Sequence, residues 1–214
     1  MNFTILKNFT TDWILPAAEE FKKFENYFVE LAKNADFGDT FLDNNIFLPV
    51  FHKHSKNLYH LIVDKNKLNC PYSNILRNLS KKDWHITLYV SLPGRQDPFH
   101  VDSSRSSAIN FPIFVNKDLS YFKIGKETDL NTYKKIGEHH REWQKQYFDN
   151  GAKGHYDLTE EEYETYNLEY PVAFNCKIPH GGVNMSTSTR VIGSITFKET
   201  TYKELIQKIP GDWL

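Results

Sequence analysis

The chain has 214 residues, 40% of them hydrophobic and 15% aromatic, enough to bury a sizeable core in one domain of all-β or mixed type. Its 26 basic and 27 acidic residues leave a formal net charge of −1, which excludes a global field that would draw nucleic acid or an anionic membrane surface; a nucleic-acid substrate is not indicated by this balance, nor excluded by it. Cys70 and Cys176 are the only cysteines and stand far apart, so neither a disulfide framework nor a short-spaced zinc pair is expected.

The opening stretch "MNFTILKNFTTDWILPAAEEF" lacks a basic region followed by a long apolar run, and no window approaches the roughly 18 apolar residues that span a bilayer. A cytoplasmic, soluble protein without a membrane partner is the expectation. From Pro16 to Lys33, Ala17, Phe21, Phe24, Phe28 and Leu31 recur at steps of three and four, which predicts one amphipathic helix with Pro16 in its first turn. "NNIFLPVFHKH" and "NLYHLIVDKN" read as strands. His52 and His54 share period-two spacing there, but Lys53 and Lys56 surround them, and they are not read as a metal site. In "DWHITLYVSLPG", Trp84, Ile86, Leu88, Val90 and Leu92 fall on one face, with His85, Thr87, Tyr89 and Ser91 on the other, the alternation of a strand.

Next comes the stretch "PFHVDSSRSSAINFP", with His100 and Asp102 at period two. On a strand, residues i and i+2 point the same way, so an imidazole and a carboxylate can aim at one point. "SAINFPIFV" continues as a further strand. Between about 117 and 170 the character changes: "DLNTYKKIGEHHREWQKQYF" predicts a polar helix, and Thr159 and Glu162 stand at capping-box spacing. This segment reads as a helical insertion, either a lid or substrate wall or an ordinary structural excursion. His139 and His140, adjacent on that helix, point about 100° apart and are read as solvent-facing. "YPVAFNCKIP" is a strand, and "TRVIGSITFKE" sets Arg190, Ile192, Ser194 and Thr196 against Val191, Gly193, Ile195 and Phe197. So many short strands in the second half predict a barrel or jelly roll.

Two ligands need a third, and His180 in "IPHGGVNMSTSTRV" is the candidate: it ends a strand and precedes two glycines that would let the backbone turn. Two histidines and one carboxylate form the facial triad of non-haem iron centres. Arg190, ten positions after His180, offers a planar, permanently charged fork suited to a carboxylate.

In these residues, His100-x-Asp102, the later His180 and Arg190, the chain resembles the Fe(II)- and 2-oxoglutarate-dependent oxygenases. "SAINFPI" and "IPHGGVNMS" are similar to small viral and bacterial members related to aspartyl/asparaginyl and prolyl hydroxylases. The resemblance covers about residues 84–198; the first 80 or so residues and the 117–170 segment match no motif. It implies a single domain over 1–214, mainly β with flanking helices, built on a double-stranded β-helix (jelly-roll, cupin-like) core. An N-terminal helix and supporting strands would lie in 1–80. It further implies Fe(II) held by His100, Asp102 and His180, with 2-oxoglutarate and O2 as the other reactants. The 5-carboxylate of 2-oxoglutarate would rest on Arg190, with Asn110 and Tyr89 as further contacts and no catalytic residue beyond the metal ligands. The implied activity is a dioxygenase that hydroxylates an unactivated C–H bond in an amino acid, peptide or protein side chain. Asn110 also fits a buried amide paired to backbone, Tyr89 fits aromatic packing, and Arg105 reads as a contact for an acidic substrate group or, the favoured reading, as a solvated loop residue. A metal-binding barrel of other chemistry, such as an isomerase or a cosubstrate-independent dioxygenase, and a catalytically silent binding module remain alternatives; Arg190 separates the first reading from the second.

Overall fold

A strand with two buried faces needs cover on both, and here helices cover one face of a central sheet while a second sheet covers the other. The computed structural model describes residues 2–34, 38–40, 46–55, 58–80, 84–136 and 152–214. In chain order the elements are β1 (Phe3–Ile5), α1 (Leu15–Lys23), α2 (Glu25–Asn34), β2 (Gly38–Thr40), β3 (Phe47–Ser55), β4 (Leu58–Val63), α3 (Ser73–Leu79), β5 (His85–Ser91), β6 (Arg95–Gln96), β7 (Phe99–Asp102), β8 (Ser107–Phe114), β9 (Ser120–Gly125), β10 (Lys134–Lys135), β11 (Ala152–Asp157), β12 (Tyr163–Tyr166), β13 (Val172–Asn175), β14 (His180–Asn184), β15 (Arg190–Phe197) and α4 (Tyr202–Lys208).

The larger sheet has the order β1-β13-β8-β15-β5-β4-β3-β2 and the smaller β10-β11-β7-β14-β9-β12, with β6 paired to β14. The described pairings are antiparallel. From β5 onward the chain passes back and forth between the sheets. It leaves β13-β8-β15-β5 in one and β12-β9-β14-β7 in the other, the two four-stranded halves of a double-stranded β-helix.

The period-two alternation sorts side chains as the sequence predicts. Trp84, Ile86, Leu88 and Val90 of β5 and its approach, with Val191, Ile195 and Phe197 of β15, face a core completed by Ala17, Phe21, Phe28, Leu76 and Leu205 from the helices. Ile192, Phe122, Ile124, Val172, Phe174 and Ile178 fill the space between the sheets. A third cluster, Phe99, Val101, Tyr133, Tyr156 and Leu158, covers the outer side of the smaller sheet. Among the described residues, no helix is long and apolar enough to cross a membrane.

Three expectations need correction. The helix predicted over 16–33 is two helices broken at Phe24, whose backbone (φ −111°, ψ 12°) ends α1. Phe24 is 44% exposed while Phe21 and Phe28 stack at 5.9 Å inside, because the break resets the helical phase. The 117–170 segment carries β9, β10, β11 and β12, which belong to the smaller sheet. Most of the polar helix predicted there, with His139 and His140, lies outside the described residues. The Thr159–Glu162 pair makes its contacts, with Thr159 N and Oγ1 donating to Glu162 Oε2 at 2.7 and 3.0 Å, but caps a turn that leads into β12. A capping box satisfies backbone donors wherever the chain turns, and here the pairing with β9 makes the next element a strand instead of a helix.

Phe111 of β8 is fully buried, 5.9 Å from Trp13 and seated on Gly193 of β15, where an added Cβ would overlap its ring. Phe111→Ala removes the filler of a site walled by two sheet strands and a helix, and should destabilise the protein by about 3–5 kcal/mol. Urea unfolding of both proteins measures it.

Candidate metal centre

Register brings three histidines into one row. Across β11-β7-β14, His155 pairs with His100 and His100 with His180. Directly paired residues share a face, so all three rings line the inner side of the smaller sheet, and period two adds Asp102 beside His100. His100 Nε2 lies 3.8 Å from Asp102 Oδ1 and His180 Nε2 lies 3.4 Å from Asp102 Oδ2. The ligand atoms of His100, Asp102 and His180 all fall within 4.8 Å of one another.

The ring orientations are set by backbone. His100 Nδ1 donates to the Pro98 carbonyl at 3.0 Å and His180 Nδ1 to the Ile178 carbonyl at 2.8 Å. A carbonyl only accepts, so each Nδ1 carries a proton and the neutral ring presents its lone pair at Nε2. His180 Nε2 is buried without a hydrogen-bond partner, facing a carboxylate oxygen. Two acceptors pressed together in this way, with a second imidazole beside them, fit a divalent cation of the N/O-preferring kind. Burial, and then the neighbouring His180, lowers the His100 pKa to about 4, so this ring is neutral at physiological pH.

Arg105 differs from its expected solvation. Its side chain is only 11% exposed, and Nε donates to Asp102 Oδ2 while Nη1 reaches Ser194 Oγ at 3.4 Å. The guanidinium lies over the rings of Tyr89 and Phe174, 5.2 and 5.7 Å from their centroids. Burial pushes the Asp102 carboxyl up, but Arg105 and His180 outweigh it and hold it well below the usual carboxylate range. Lys177 Nζ binds the backbone carbonyls of Asp102 and Ser103 at 2.9 and 3.2 Å, fixing the loop that carries Arg105.

Beside the triad lies a second polar group. Arg190 opens β15 and is 3% exposed, yet its Nε and Nη2 have no hydrogen-bond partner. Asp97, which shares the space over Gly182 with it, is taken by Arg95 Nε at 2.6 Å and by the Gly182 amide at 3.1 Å. Burial lowers the Arg190 pKa to about 10, opposed by Asp97. Gly181 and Gly182 do not turn the chain; they continue β14 in register with Lys123 and Phe122. Gly182 makes room instead, since a Cβ there would sit 2.8 Å from Arg190 Nη1 and 3.0 Å from Asp97 Oδ2. Asn184, fully buried, donates to the carbonyls of Ser91 and Ser188 at 3.0 and 2.9 Å and accepts from Ser186 at 2.6 Å, fixing the turn that delivers Arg190. The guanidinium thus rests over the strand of His180 and fits a carboxylate.

Asn110 and Tyr89 stand on the inner face of the larger sheet, paired with Ser194 and Ile192 of β15. Asn110 Oδ1 is buried without a hydrogen-bond partner, which removes the reading of an amide fully paired to backbone. Tyr89 packs under Arg105, and burial raises its hydroxyl pKa. Sequence reasoning missed His155, Asp97 and Arg95, and misread Arg105. The spacing of Arg105, three residues after Asp102, was the one available signal.

The fold and site define a jelly-roll chain of the cupin type with a His-Asp-His group placed to hold a metal. No protein-family model matches the chain, and comparison with curated proteins finds no relative. Among solved structures, it is similar to a Pseudomonas putida prolyl-4-hydroxylase, with a TM-score of 0.49, 9% identity and 92% of each chain covered. It is also similar to EvdO2 from Micromonospora carbonacea var. aurantiaca, with a TM-score of 0.49, 12% identity, and 92% of this chain and 86% of that one covered.

Alanine at His100, Asp102 or His180 should lower Mn(II) affinity by more than the roughly 10–100-fold typical of losing an outer hydrogen-bond partner, as read by calorimetric titration. A pH effect arises from His100, whose unfolded ring protonates below 6.5 while the folded ring resists until about 4. The unfolded state therefore binds more protons in that window, and the metal-free protein should lose stability as pH falls from 6.5 towards 4. His155, also lowered by burial, adds to the slope, so urea unfolding of His100→Asn should show a shallower one.

Proposed function

We propose that this protein is an Fe(II)- and 2-oxoglutarate-dependent dioxygenase that hydroxylates an unactivated C–H bond of an amino acid, peptide or protein side chain. The observation that carries this reading is Arg190, a buried guanidinium with two unpartnered nitrogens beside a His-Asp-His group. An unpaired charge in such a place is costly, and a carboxylate ligand relieves the cost through paired, charge-assisted hydrogen bonds. Gly182, under Arg190, stands two residues after His180, about 7 Å along the strand, a separation that a five-carbon dicarboxylate spans.

In this reading His100, Asp102 and His180 hold the iron and Arg190 takes the distal carboxylate of the cosubstrate. Asn110 and Tyr89 offer polar contacts from the opposite sheet. The oxidative chemistry belongs to the bound iron and cosubstrate, and the chain's own residues bind, orient and exclude water. Ile192, Phe122 and Phe174 exclude it, since they fill the space between the sheets around the group.

Arg190→Ala should weaken 2-oxoglutarate binding to the Mn(II)-loaded protein by at least about a hundredfold, because breaking a buried charge pair typically costs about 3–5 kcal/mol. Mn(II) affinity should stay near that of the wild type. Arg190→Lys should recover only part, since the bidentate fork is lost, and Gly182→Ala should weaken the same step by displacing the guanidinium. Calorimetry decides it: equal affinity in wild type and Arg190→Ala, or no 2-oxoglutarate binding to the wild type, overturns the reading.

A further inference from the structure

We infer that Arg105 is a positioning residue that holds one oxygen of Asp102 for the protein and leaves the other to the cation, keeping coordination positions open for incoming ligands. The inference rests on reading the His-Asp-His group as a metal centre and is independent of which cosubstrate binds there.

The geometry is that of a strut between the sheets. Asp102 stands on β7 of the smaller sheet, whereas Tyr89, Ser194 and Phe174, which support the guanidinium, stand on β5, β15 and β13 of the larger one. Contacts of three kinds fix it: a charge-assisted bond from Nε to Oδ2, a hydrogen bond from Nη1 to Ser194 Oγ, and two aromatic faces. Asp102 Oδ1 remains directed at His100 Nε2, 3.8 Å away, while Oδ2, tied to Arg105, also stands 3.4 Å from His180 Nε2, so both oxygens are within reach of a cation and the tether decides whether one or both engage it. A carboxylate without such a tether can swing to bind a cation through both oxygens, as flexible sites do. That would fill a position which a bound cation would otherwise offer to another ligand.

The tether also places a positive charge beside the centre. Removing that charge by itself raises cation affinity by at least about tenfold whatever else Arg105 does, even at the dielectric of water. A plain structural ion pair and a positioning residue differ instead in the coordination they leave. If Arg105 only props up the loop, its loss leaves the number of metal-bound waters unchanged or, by loosening Asp102, offsets that gain and lowers affinity. If it restrains a carboxylate that is otherwise free to chelate, its loss costs the cation one bound water.

The test uses the full chain loaded with Mn(II), comparing wild type, Arg105→Met, which keeps the apolar packing on Tyr89 and Phe174, and Arg105→Lys, which keeps a charged donor. Arg105→Met should bind Mn(II) at least about tenfold more tightly and carry one fewer metal-bound water, counted by electron–nuclear double resonance in 17O-water. Arg105→Lys should keep the wild-type water count. An unchanged water count or a weaker affinity in Arg105→Met overturns the inference. Should Arg105→Met fail to fold, the wild-type protein supplies the answer through the 15N resonance of the Arg105 Nε–H on adding Zn(II). A resonance that stays at its bonded position supports the strut, and one that moves to the free-arginine position overturns it. Absence of Mn(II) binding in the wild type overturns this inference together with the proposed function, whereas Mn(II) binding without 2-oxoglutarate binding overturns the proposed function alone.

Discussion

Among the described residues, Arg95, Asp97, Asp102, Arg105 and Arg190 are buried or nearly so, and the site takes its form from how these charges are balanced. Asp102 is matched by Arg105 and Asp97 by Arg95, and Arg190 has no hydrogen-bonded partner of its own. Breaking a buried pair is expensive, so each matched pair pins the strands that carry it. Asp97 shows how far this reaches. It precedes Pro98, whose carbonyl orients His100, and its side chain and amide engage Gly182, two residues after His180. One buried carboxylate thus ties the strands of both histidines and occupies the space beside Arg190.

The candidate ligands come from strands, and this has a mechanical consequence. Period two fixes the angle between His100 and Asp102, and the register β7-β14 fixes His100 against His180, leaving few soft torsions between them. The helices lie on the far face of the larger sheet with Tyr59, Leu61 and Phe111, so the apolar core that supplies most of the stability does not crowd the site. Arg105 instead comes from the loop between β7 and β8. This loop is fastened by Lys177 to the carbonyls of Asp102 and Ser103 and by the Ser106 carbonyl to the Cys176 amide.

The amino-acid sequence by itself determined the features that depend on neighbours along the chain. Alternation in 84–92 and 190–197 separates a core face from a site face, His100 and Asp102 share a direction because strands repeat at two, and the capping contacts of Thr159 with Glu162 form as their spacing implies. Tertiary structure alone decided whatever depends on register or on partners far away. The break at Phe24 reflects which phenylalanines the sheet accepts, and the described parts of the 117–170 segment carry strands because β7, β14 and β9 offer edges to pair with. His155 faces His100 only through the pairing of β11 with β7, and Asp97 meets Gly182 across 85 residues. Arg105 is the instructive case: three residues from Asp102 in a serine-rich loop it looks solvated, and the two aromatic rings that bury it lie on strands on either side of that loop in sequence. Local periodicity is written in adjacent residues, whereas the cost of an unpaired buried charge is set by whatever the folded chain brings beside it.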